Sequence, residues 1–93
     1  MMDEMTALQR DILILLQGLQ PASGVRIQTE LEAYYGSEVF GGRLYPALDN
    51  LVECGYLEKS ERDGRTNKYA LTVRGRKAIQ DRYDWLQSLF EPV

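Results

Sequence analysis

Apolar residues in this chain are spaced helically up to Gly55, alternate from Tyr56 to Leu71, and are spaced helically again from Thr72 onward. A period near 3.6 marks an amphipathic helix, whereas a period of 2 marks a strand with one buried face. The switch predicts three helices, a two-stranded hairpin and a last helix, in that order, within 93 residues. That length holds one small domain. Thr6 is the expected N-cap of a first helix reaching about Leu19, with Leu8, Ile12, Leu15 and Leu19 as its apolar stripe. Leu13 and Ile14 lie off that stripe, so this helix is apolar nearly all round and needs cover on more than one side, from its own core or from a second copy.

Pro21 ends the first helix, and Ser23 is expected to cap a second over Gly24 to Tyr35. Ile27 and Leu31 would face inward, Glu30 and Glu32 would face water, and Gly36 would close the helix. The third helix has Leu44, Leu48, Leu51 and Val52 as its core face and ends near Cys54. Proline lacks an N–H, which only the first turn can do without, so Pro46 predicts a start at or just after Arg43. Tyr56-Leu57-Glu58-Lys59 and Lys68-Tyr69-Ala70-Leu71 read as strands joined across Asp63-Gly64, and Thr72 caps a last helix to about Phe90. The expected fold is mainly α with a small β-hairpin. It is a winged helix-turn-helix core over residues 1–71 followed by a C-terminal dimerisation helix over 72–90.

Several function classes fall away on composition. With 44% apolar and 27% charged residues the chain is an ordinary globular one, and its longest apolar run, residues 12–16, is far too short to span a bilayer. No secretory signal opens it, so a cytoplasmic address without membrane contact is expected. There is no histidine and one cysteine, Cys54, which removes an internal disulfide, zinc sites and histidine-based triads. No acid–base or nucleophile pair can be nominated, so neither an enzyme nor a bound cofactor is expected. Cys54, next to Gly55 at a helix end, is expected to be a small buried apolar residue rather than a redox sensor.

Net charge is −3, which alone argues against a chain that coats nucleic acid. The average hides an asymmetry. Residues 1–55 carry three cations against eight acids, net −5, whereas residues 56–93 carry eight cations against six acids, net +2. A basic stretch from Lys59 to Arg82 on an acidic body is either a solvated mixed surface or a local phosphate-binding edge.

Motifs separate these two readings. Gly42-Arg43-Leu44-Tyr45-Pro46-Ala47-Leu48 and Tyr69-Ala70-Leu71-Thr72-Val73-Arg74-Gly75-Arg76 together resemble the PadR-like winged-helix transcriptional regulators, over most of the chain. The acidic balance and the use of eight arginines against three lysines are similar to versions from salt-loving archaea and their viruses. The resemblance implies a homodimeric repressor on a two-fold symmetric DNA operator, with the third helix in the major groove, the hairpin wing on the backbone or minor groove, and dimerisation through the last helix. This sequence departs from the common family pattern at Val25, Arg43 and Asp49, and Asp49 subtracts from the field that attracts DNA. A winged-helix protein-interaction module without DNA binding is the alternative reading that the net charge and Asp49 leave open.

Within that frame the DNA-contact candidates are Gly42, Arg43 and Tyr45 on the third helix and Arg62, Arg65 and Lys68 in the wing. A guanidinium at Arg43 can grip guanine in a bidentate way, and the glycines before it let the backbone approach. Tyr45 is either a packing residue or a phosphate donor, and the wing cations sit on a hairpin too short to bury them. Arg74, Arg76 and Lys77 open the last helix, where its dipole prefers acids, so an external anion or a salt bridge to Glu53 or Glu58 is expected. Gly75 would allow close packing of that helix on the hairpin. The last helix carries Ile79, Tyr83, Leu86 and Phe90 in one stripe and Ala78, Trp85 and Leu89 beside it, too wide an arc for one small domain to cover. The dimer candidates are therefore Leu13, Ile14, Ile79, Tyr83, Trp85, Leu86, Leu89 and Phe90. Alternatively Trp85 and its neighbours line an effector cavity, as in one multidrug-responsive branch of the family; no residue nominates the effector itself.

Overall fold

The computed structural model describes residues 5–62 and 66–90. The elements are α1 (Ala7–Leu19), β1 (Ala22–Ser23), α2 (Gly24–Tyr35), α3 (Gly41–Glu53), β2 (Leu57–Arg62), β3 (Thr66–Leu71) and α4 (Val73–Phe90). Capping sets most of these boundaries. Thr6 accepts from the Gln9 amide while the Gln9 side chain accepts from the Thr6 amide, a reciprocal box that satisfies two donors at the start of α1. Ser23 accepts from Arg26 N–H at the start of α2, and Gly36 ends it in the left-handed region at φ 70°. The Thr72 hydroxyl accepts from Gly75 N–H and donates to the Gly55 carbonyl, tying the start of α4 to the end of α3.

The sheet has three strands in the order β1-β3-β2, all antiparallel. The hairpin was legible; β1 was not, because two residues carry no alternation to detect. Ala22 and Ser23 pair with Tyr69 and Lys68, so the wing is anchored to the start of α2. A second tie comes from Gln20, whose side-chain oxygen accepts from Leu71 N–H at 2.7 Å.

α1 runs through the centre of the molecule, against α2, α3, α4 and β3. That placement corrects the expected role of Leu13, which is fully buried in the protomer's own core with Ile12, Leu16, Ile27, Leu44 and Leu48. Ile79 is likewise buried against the protomer and reaches the surface only at the edge of a groove between α1 and α4. The off-stripe cover that α1 requires comes from its own chain, with Leu15 and Leu19 at the fringe and Ile14 left on the surface.

α3 begins two residues earlier than expected, with Phe40 as N-cap and Pro46 inside the helix. Gly41 and Gly42 adopt helical backbone, and the Phe40 carbonyl accepts from both Arg43 and Leu44 N–H. Pro46 accordingly leaves the Gly42 carbonyl without its helical donor. Cys54 is exposed rather than buried, because α3 turns its core face away from it. Glu32 is half-buried, its carboxylate accepting from Val39 N–H at 2.9 Å to brace the turn between α2 and α3.

α4 starts against the hairpin and then leaves the body. Gly75, Ala78 and Ile79 are buried, whereas Tyr83, Trp85, Leu89 and Phe90 are exposed and Leu86 is half-buried. The long axis of the molecule is 51 Å against 30 and 22 Å. Among the described residues no helix is long and apolar enough to cross a membrane.

Candidate nucleic-acid interface

Leu44, Leu48 and Leu51 fix the buried face of α3, so helical geometry turns Gly42, Pro46, Asp49 and Glu53 outward, with Tyr45 on one flank and Arg43 and Asn50 on the other. The flanks have different neighbours. Asn50 is engaged by α1, its side-chain oxygen accepting from Gln9 Nε2 at 2.8 Å. On the opposite flank Tyr45 reaches the first turn of α2, where its ring lies so close to Gly24 that a side chain there would collide with it.

Tyr45 and Asp49 of α3, Gly24 and Val25 of α2, Ser23 at the end of β1, and Lys59, Thr66, Asn67 and Tyr69 of the hairpin line a concavity of about 380 Å³. Tyr69 is its buried floor, and burial, followed by the negative charge of Asp49, pushes the Tyr69 hydroxyl above its ordinary pKa. Three elements thus present polar and cationic groups on one side of the molecule, beside the exposed face of a helix.

Strand register decides which wing residues join this arrangement. Lys59 pairs with Tyr69 and Glu61 with Asn67, so these four share the face that continues from the buried Leu57 and Leu71. Lys68 pairs with Ser60 on one side and Ser23 on the other, and it is half-buried on the opposite face of the ribbon. Arg62 ends β2 opposite Thr66, and Arg65 lies outside the described residues. Lys59 and Asn67 were missed as concavity-lining residues, although counting by twos from Leu57 and Leu71 finds both.

Arg43 is exposed in the first turn of α3 and outside the concavity. It lies on the side of Tyr35, whose hydroxyl donates to the Asp11 carboxylate. Partial burial and the hydrogen bond and charge of Asp11 push the Tyr35 hydroxyl up to about 12, with the Arg43 guanidinium working in the opposite direction. The cations at the start of α4 have local uses. Arg74 stacks over the Tyr56 ring, 4.5 Å from its centroid, and donates to its hydroxyl, while Arg76 donates to the Leu71 carbonyl. Carbonyl, hydroxyl and ring contacts therefore engage these two cations, and among the described residues neither forms the expected ion pair with Glu53 or Glu58.

A second surface joins α1 to α4. Ile14, Gln17, Ile79, Gln80, Arg82, Tyr83 and Leu86 line a groove of about 350 Å³. Trp85, Leu89 and Phe90 continue it along α4 with 54, 63 and 83% of their surface exposed.

The model of the transcriptional regulator PadR-like family matches residues 12–81. No curated protein sequence matches the chain. Among solved structures, RosR of H. salinarum is 48% identical, covers 100% of this chain and 84% of its own, and superposes with a TM-score of 0.93. A PadR-like transcription factor from B. fragilis is 26% identical over 88% of this chain and 82% of its own, with a TM-score of 0.72. A single-site mutant of MarR from E. coli, complexed with operator DNA, is 24% identical over 87% of this chain and 55% of its own; its TM-score of 0.75 marks a shared fold.

Proposed function

This chain belongs to the PadR-like family of transcriptional regulators, and we propose that it binds duplex DNA as a homodimeric repressor of a two-fold symmetric operator. α3 enters the major groove, and the wing and the first turn of α2 hold the flanking backbone. The observation that carries this reading is the exposed face of α3 beside a concavity lined by Lys59, Thr66, Asn67 and Ser23, which matches what a recognition helix and its phosphate supports require. MarR, which shares the fold, is solved with operator DNA, and that supports the same use of the fold here.

In this reading Arg43 reads a base edge from the first turn of α3, where Gly41 and Gly42 leave no side chains to hold the backbone away. Tyr45 supports the helix against α2 and offers its hydroxyl to a phosphate. Lys59, Lys68, Arg62 and Arg65 supply phosphate contacts.

Gel-shift titration of duplexes selected from genomic DNA tests the function, and Arg43→Ala tests the site. The variant is expected to lose about 1–3 kcal/mol on the selected operator and much less on scrambled DNA at the same salt. Equal losses on both would make Arg43 a phosphate clamp, and no loss on either would remove it from the interface. Failure of the wild type to shift any duplex would set the DNA-binding reading aside.

A further inference from the structure

Within the first three turns of α3, residues 41–49, Asp49 is the sole acid, and it is exposed. It stands one turn beyond Tyr45 and borders the concavity that also holds Lys59, Thr66 and Asn67. Its carboxylate takes part in no hydrogen bond or ion pair among the described residues; the one such ion pair joins Arg26 to Glu30. After burial, its charge helps to keep the Tyr69 hydroxyl on the floor of that concavity protonated.

A carboxylate here is costly if phosphates are all that it meets, since like charges repel and the field that attracts DNA is weakened. A duplex also carries hydrogen-bond donors. In the major groove these are the exocyclic amines, cytosine N4 and adenine N6. Adenine sets its amine beside the N7 acceptor, which repels the second carboxylate oxygen, whereas cytosine sets its amine beside a C–H. Guanine and thymine present acceptors at the corresponding positions and are rejected. The carboxylate oxygens carry no proton at neutral pH and only accept.

We propose that Asp49 is a specificity-determining residue whose carboxylate accepts a hydrogen bond from the N4 amine of a cytosine in the major groove. The proposal rests on α3 being the DNA-reading helix. Asp49 and Arg43 stand roughly 120° apart around α3, so they address different base positions. Repulsion from phosphate makes the pair more selective, because nonspecific complexes keep the cost of the charge and lack the cytosine bond that offsets it.

The experiment selects duplexes from a random-sequence pool with wild type, Asp49→Asn and Asp49→Ala at one fixed salt concentration. Each protein is then titrated against the enriched duplex and its single-base-pair variants. Far-UV circular dichroism confirms that both variants fold, as an exposed position predicts. Wild type is expected to enrich a cytosine at one position per half-site, and replacing it should weaken binding roughly tenfold. Asp49→Ala should lose that preference alone while binding unrelated duplexes more tightly. Asp49→Asn should move the preference toward adenine, because an amide both accepts and donates. Identical base preferences in all three proteins, with affinity for every duplex raised by a common factor, would overturn the proposal and leave Asp49 as a repulsive charge. A change confined to a position other than cytosine would also overturn it. A wild type that enriches no sequence would overturn the reader-helix reading itself, a result distinct from either of the others.

Discussion

A methyl group added at Gly75 would lie 2.2 Å from the Tyr56 carbonyl oxygen, and one added at Gly24 would lie 2.6 Å from the Tyr45 ring. The first obstacle is backbone and the second is the far end of a side chain, so the two substitutions should fail in different ways. Gly75→Ala is expected to destabilise the fold by about 2 kcal/mol or more, despite the better helix propensity of alanine. Gly24→Ala should change stability by less than about 1 kcal/mol and weaken DNA binding, because Tyr45 has to swing off α2. Urea unfolding together with gel-shift titration separates them; equal stability losses would contradict this account. The Tyr35 hydroxyl gives a pH-dependent case. Its folded pKa of about 12 lies above the ordinary value of 10, through burial first and Asp11 second, so the stability tied to the protonated hydroxyl is complete below pH 10 and is lost as pH rises through about 12. Tyr35→Phe should cost up to about 1 kcal/mol near neutrality, limited by solvent screening of a partly exposed pair. That difference should vanish above pH 12 in pH-resolved thermal unfolding. A difference independent of pH would show that burial and Asp11 do not hold the hydroxyl protonated. The need for a glycine at position 75 was legible in the sequence, since a glycine in the first turn of a helix is costly without a packing reason. The exposure of Cys54 was not, because which side of a helix end faces the core depends on elements distant in sequence.

At the scale of elements, α3 and the wing differ in how far sequence rules reach. The rule for proline placed the start of α3 too late, since it assumed that the helix avoids a lost hydrogen bond. Instead Gly41 and Gly42 extend the helix toward the turn, leaving the Gly42 carbonyl without its helical donor on the outward face. A carbonyl on an exposed face remains open to water, so the loss is smaller there than in a core. In the wing, basic composition marked Arg62, Arg65 and Lys68, whereas register places Lys59 beside α3 and Lys68 on the other face of the ribbon. Composition cannot distinguish the faces of a strand, but a period of 2 counted from a buried anchor can. The wing cations are expected to hold phosphates and so to act alike on all sequences. Lys59→Ala, Arg65→Ala and Lys68→Ala should each weaken operator and scrambled duplexes by a common factor and reduce the slope of log K against log salt by about 1. Lys59→Ala should have a larger effect than Lys68→Ala, because Lys59 borders the concavity next to α3. Fluorescence anisotropy across a salt series measures both quantities, and a loss confined to one operator sequence would assign the residue to base reading instead.

For the molecule as a whole, the sequence indicated that α4 carries more apolar surface than one small domain can cover, and the structure divides that surface along the helix. Ala78 and Ile79 pack on the protomer, whereas Tyr83, Trp85, Leu89 and Phe90 stand on a projecting segment that helps to stretch the molecule to 51 Å. Leu13 belongs to the protomer's core and not to a partner because its own chain surrounds α1, and a helical wheel shows which residues share a face without showing how many neighbours the helix has. Ile14 stays on the surface and lines a groove with Tyr83 and Leu86, so the exposed stripe of α4 runs continuously onto α1. A second copy related by a two-fold axis would present the same stripe in reverse, which suits a surface formed by the same residues on both partners. It would also set two α3 helices at a fixed separation, as a symmetric operator requires. Trp85→Ala with Leu89→Ala is therefore expected to raise the dimer dissociation constant by a factor of roughly 30 or more, since truncating central aromatic and aliphatic anchors costs about 2 kcal/mol or more. Both side chains are exposed in the protomer, so far-UV circular dichroism should be unchanged. Sedimentation velocity at micromolar concentration should find wild type as a dimer and the variant shifted toward monomer, with operator affinity falling in parallel. A wild type that sediments as a monomer, or a variant that remains fully dimeric with unaltered affinity, would refute the assignment and open the exposed stripe of α4 to a different ligand.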